Sequence, residues 1–152
     1  MKKLVLSLLV PVLAAMTMIV GGGTASAASN PYTAAGACAH DFGGSWQQAS
    51  TRGRYAINSW KGHAADVYLM YNAATGYNCV VTIKRLNVGT ATRTGAHLEV
   101  QGGATKGQWG DYKYYSAVQA FARDRCIRFF GSVWVNPETD SAGPSDTWGN
   151  CH

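Results

Sequence analysis

The 152-residue chain has little charge: 8 acidic and 13 basic residues, or 14% in all. A disordered chain needs much charge and few apolar groups, and with 47% hydrophobic residues this one is excluded from that class. Its 18 glycines follow no fixed period, which excludes a collagen-like triple helix. No internal repeat or low-complexity segment is present. His40, His63, His97 and His152 are scattered, and so are the cysteines, whereas zinc sites use closely spaced ligand pairs. No metal and no cofactor is therefore expected. There is no G-x-S-x-G, and the chain is short for a hydrolase of that architecture. Beyond residue 20 no stretch is apolar enough to span a bilayer.

What is present begins with an address. Lys2 and Lys3 precede an apolar run from Leu4 to Val20, and Ala25-Ser26-Ala27 then fits the small-residue pattern of a signal-peptidase site. Residues 1–27 are read as a cleaved signal peptide, so the protein is expected outside the cell and free of the membrane. Losing both lysines lowers the net charge from +5 to +3. That favours mild attraction to anionic wall polymers and does not suggest nucleic acid.

The remaining length suits one domain with one core. Cys38, Cys79, Cys126 and Cys151 all lie in it, and in an oxidising compartment an even count reads as two disulfides. Four cysteines allow three pairings. Cys38–Cys79 with Cys126–Cys151 is favoured, because each pair then ties a terminal segment to a core strand. Chain entropy assigns each about 3.5–4 kcal/mol at most.

Residues 28–50 are small, polar and glycine-rich, and read as an irregular lead-in to a β-domain over 51–152. Val67, Leu69 and Tyr71, then Cys79, Val81 and Ile83, alternate with their neighbours on either side of Asn72-Ala73-Ala74-Thr75-Gly76. Two period-2 runs around a turn predict a β-hairpin. Residues 87–95 read as polar connection, 96–100 as a strand, and Gly107, Trp109 and Gly110 as a second loop. Residues 112–122 fit helix or strand, with aromatic density favouring strand. Residues 126–135 read as a strand in which Gly131 marks a bulge or bend. The expected fold is all-β: a small antiparallel β-sandwich or barrel with two disulfides, following the signal peptide.

Val67-Tyr68-Leu69-Met70-Tyr71-Asn72 followed by Gly76-Tyr77-Asn78-Cys79-Val80-Val81-Thr82-Ile83-Lys84 resembles the central motif of the spore-associated protein A family, small secreted proteins of filamentous actinobacteria. Gly36-Ala37-Cys38, Trp109-Gly110-Asp111-Tyr112 with Tyr114-Tyr115, Cys126-Ile127 with Gly131, and Asn150-Cys151 extend the resemblance over most of residues 36–152. It implies secretion, two disulfides and association with a spore or hyphal surface. It supplies no catalytic residues.

Candidate chemistry is sparse. His97 and Glu99 share one strand face, and with Arg93, Arg123, Arg125 or Arg128 they could serve a small ribonuclease; a solvated polar face is the simpler reading. Thr51-Arg52-Gly53-Arg54-Tyr55 could form the loop of a secreted hydrolase inhibitor. The aromatic residues suggest a glycan-binding module, with Trp109, Tyr112 and Tyr114 as candidate ligand-binding residues, although tryptophan and tyrosine also fill small cores. The expectation is a non-enzymatic, surface-associated protein whose partners are spore or cell-wall polymers.

Overall fold

A computed structural model describes residues 29–151. The expected signal peptide, residues 1–27, lies outside the described residues. One short helix, α1 (Ala34–Phe42), precedes nine strands: β1 (Gln47–Gln48), β2 (Arg54–Ser59), β3 (Gly62–Asn72), β4 (Tyr77–Lys84), β5 (Thr92–Val100), β6 (Thr105–Tyr112), β7 (Tyr115–Phe121), β8 (Ile127–Val135) and β9 (Glu138–Ala142). They form two antiparallel sheets. The first runs β1-β3-β4-β7, with β2 also on β3; the second runs β6-β5-β8-β9. This is the expected all-β sandwich. Its sheet edges come close at both sides: Ser116 Oγ on β7 donates to the Gln108 carbonyl on β6, and Trp60 Nε1 after β2 donates to the carbonyls of Val135 and Asn136.

The expected hairpin is β3–β4, paired from Asn72↔Tyr77 to Ala65↔Lys84. Its turn is held by the Asn72 side chain, which accepts from the backbone N–H groups of Ala74 and Thr75. Val67, Leu69 and Val80 point inward and meet Ala96, Leu98, Val100, Ile127 and Phe129 from the second sheet in the main core. Residues 115–121 are a strand, as their aromatic content suggested. Both favoured disulfides are present. Cys38–Cys79 ties α1 to β4, and Cys126–Cys151 ties the C-terminal tail to the start of β8, where Ile127 also pairs with Gly149.

Three expectations are corrected. Residues 28–50 are not irregular throughout, because Ala34–Phe42 is helical. Thr33 caps it by accepting from the Gly36 N–H at 3.0 Å, and alanine fills much of its body. The segment around Gly107 and Gly110 is strand β6, with Gly107 covered by the Trp109 indole and Gly110 by the Tyr112 ring, and β5 starts at Thr92 within the segment read as connection. Gly131 marks no bulge: β8 pairs with β5 without a register shift, and its odd-numbered residues stay buried across the glycine. A Cβ there would collide with Thr82 and Val67 of the facing sheet, so the glycine permits close approach of the two layers.

Candidate functional site

An open cleft of about 690 Å³ lies at the seam where β6 and β7 meet beneath α1. Two of the sequence-predicted residues, Tyr112 and Tyr114, line it. Residues that sequence reasoning left out complete it: Tyr32 before α1, His40 and Asp41 on α1, and Tyr115 on β7. The Tyr32 ring packs edge-on against Tyr115, with centroids 4.8 Å apart, and lies 5.7 Å from Tyr114. Across the cleft Gln108 Nε2 donates to the Tyr112 hydroxyl at 2.6 Å.

Tyr115 donates its hydroxyl to Asp41 Oδ1 at 2.7 Å. His40 Nδ1 lies 2.8 Å from the same carboxylate oxygen and 2.9 Å from the phenol oxygen. Burial, reinforced by the bond to the Asp41 carboxylate, pushes the Tyr115 phenol above its ordinary range. It therefore stays a neutral donor, and the three groups close on one another. This triangle fixes α1 to β7.

Trp109 is not in the cleft. It pairs with Gly95 on the outer face of the second sheet and is 51% exposed. Its indole lies over Gly95 and Gly107, where any Cβ would collide with it. The same face carries His97 and Glu99, which do meet: His97 Nε2 is 3.0 Å from Glu99 Oε1, and Arg128 Nη2 is 2.6 Å from Glu99 Oε2. Hydrogen bonds from His97 and Arg128 hold the Glu99 carboxyl below its ordinary pKa. Arg93 shares this outer face, opposite Asp111, whereas Arg123 and Arg125 lie elsewhere. Arg123 donates to the carbonyls of Ala73 and Ala74, and Arg125 to that of Gly102. Of the four candidate arginines, Arg128 is the one bonded to the His97–Glu99 pair. Arg54, from the stretch read as an inhibitor loop, lies in β2 and is held by Asp66.

Two buried charges have structural partners. Asp66, fully buried, accepts from Arg54 at 2.9 Å and Arg85 at 2.8 Å, with His63 Nε2 at 3.1 Å. Burial alone would raise its pKa, but the arginine hydrogen bonds outweigh it and hold the carboxyl below its ordinary value. Lys84, only 1% exposed, donates its three protons to the Thr90 carbonyl, Thr92 Oγ1 and the Tyr112 carbonyl. Burial without a contacting carboxylate lowers its pKa to about 8. It joins the end of β4 to the strand that forms one wall of the cleft. Among the described residues no group of three or more His, Cys, Asp or Glu could hold a metal ion, and no helix is long and apolar enough to cross a membrane.

No family model and no solved structure matches the chain. Among curated proteins, spore-associated protein A of Streptomyces coelicolor is 36% identical over 103 residues. The match covers 66% of this chain and 66% of that protein, just short of two thirds of the relative's length.

Proposed function

This chain belongs to the spore-associated protein A family, and from that membership we propose that it is an exported, non-enzymatic protein retained on the spore or hyphal surface by wall polymers. The relationship itself carries the reading, since the relative is named for its association with spores. One feature supports it. The chain's four cysteines form two disulfides, which suits an oxidising exterior.

Fractionation of a sporulating culture tests this. The protein is expected on washed spores or isolated wall, with a new N-terminus near residue 28. Recovery from the culture fluid alone, with no retention on washed spores, would contradict surface association. RNA hydrolysis by the purified protein that disappears in His97→Ala would contradict the non-enzymatic reading.

A further inference from the structure

The outer face of the second sheet carries three of the exposed tryptophans. Trp134 points outward from β8, because it sits four residues from Phe130, whose ring stacks on His97 at 4.7 Å. Trp109 covers the middle of the face from β6. Trp148, from the C-terminal tail, lies at the far end with the Arg128 guanidinium 4.8 Å from its ring centroid. They are 38%, 51% and 36% exposed. The pairing places them in order along the strands: Trp134 at one end, Trp109 level with Ser132 through Gly95, and Trp148 over Arg128. From residue 128 to residue 134 a strand advances about 20 Å.

We propose that this face is a binding platform for an extended, uncharged polysaccharide, its sugar rings stacking on Trp134, Trp109 and Trp148. Three observations select that occupant. First, none of the outward positions of β5, β6 and β8 holds Val, Leu, Ile or Met. A protein partner's apolar core would pack against aliphatic side chains as readily as aromatic ones. A face with aromatic rings and no aliphatic groups suits the flat C–H surface of a pyranose. Second, the charges cancel in pairs. Arg93 stands opposite Asp111 across β5 and β6, and Arg128 is bonded to Glu99. The face therefore offers donors and acceptors to hydroxyls without a net field to attract a polyanion. Third, the central ring is laid down by design of the backbone. Gly95 and Gly107 leave room for the indole of Trp109 to rest on the sheet, keeping its other face toward solvent. His97 and Phe130 pack beside it, with ring centroids 5.7 and 6.4 Å from the indole.

The inference goes beyond surface association, because it concerns what the purified protein binds and is tested without spores. The measurement is co-sedimentation with insoluble chitin and with crystalline cellulose, using heparin-agarose as the polyanion comparison. The wild-type protein is expected to leave the supernatant with at least one of the two neutral polymers and to stay bound in high salt. Trp109→Ala should weaken that partition by about tenfold or more, and Trp134→Ala and Trp148→Ala by less. Trp109→Phe keeps a ring over the glycines and should retain part of the binding, which separates a lost contact from a lost fold. Phe121→Ala, an exposed aromatic of the other sheet, should bind as wild type. Wild-type protein that stays in the supernatant with both neutral polymers would overturn the proposal. So would retention on heparin-agarose alone, or a Phe121→Ala loss equal to that of Trp109→Ala.

Discussion

The two sheets have outer faces of opposite character. The first carries Met70, Cys79, Val81, Ile83 and Ala117 outward, and the chain covers them itself with α1 and Trp46. The second carries Trp109, Trp134, Phe130 and paired charges, and leaves them to solvent. An aliphatic sheet face must be covered to gain its burial free energy. An aromatic and charge-balanced face can stand in water, so its exposure is a property of its composition. The same residue type shows the difference. Trp46 is buried with its indole N–H donated to the Gly43 carbonyl, while Trp109 lies on top of a sheet.

Substitutions can break or sharpen this contrast. The largest effect is expected from Trp46→Ala, which opens the covered face: about 3–5 kcal/mol lost in denaturant unfolding. Asp66→Asn should follow, at about 2 kcal/mol near neutral pH, because two arginines lose the carboxylate they converge on. Its pH dependence has a definite sign. The folded-state pKa of Asp66 is depressed, so its contribution is fully present above the ordinary aspartate value and is lost as pH falls through the folded value. Asp66→Asn should therefore flatten the acid limb of the stability curve.

Lys84 gives a pH dependence of the same sign in a higher window. Its folded pKa of about 8 lies below the ordinary lysine value, so above pH 8 the unfolded chain holds more protons than the native one. Between there and the ordinary lysine value, this group makes wild-type stability rise with pH. Thermal unfolding of Lys84→Met across that window should lack the rise. Trp109→Ala should change stability least, by about 1 kcal/mol or less, as expected of a side chain on an open sheet face. A loss there as large as that of Trp46→Ala would erase the distinction between the faces.

The legible part of the fold is the part whose signal is local. The β3–β4 hairpin announces itself because alternation and an asparagine turn need nothing from the rest of the chain. Helix α1 does not. Its small residues carry little amphipathic pattern, and its place depends on Cys38 meeting Cys79 and on Asp41 meeting Tyr115, 74 residues away. Strand β6 was hidden by its own glycines, which resemble loop residues until the Trp109 ring is seen lying over one of them. The candidate site divided for the same reason. Trp109 and Tyr112 are three apart on one strand, so alternation sends them to opposite faces of the sheet. Tyr112 joins Tyr114 in the cleft, while Trp109 joins tryptophans from β8 and the tail.

The central claim is the proposal that the uncovered face of the second sheet is the one that binds wall polysaccharide. Hydroxyl-radical footprinting of wall-bound and free protein, read residue by residue by mass spectrometry, addresses it directly. The account predicts that Trp109, Trp134 and Trp148 are protected on the wall, while Trp60 and Phe121 are oxidised equally in both states. Equal oxidation of all three in both states, with protection of Trp60 or Phe121 instead, would contradict it.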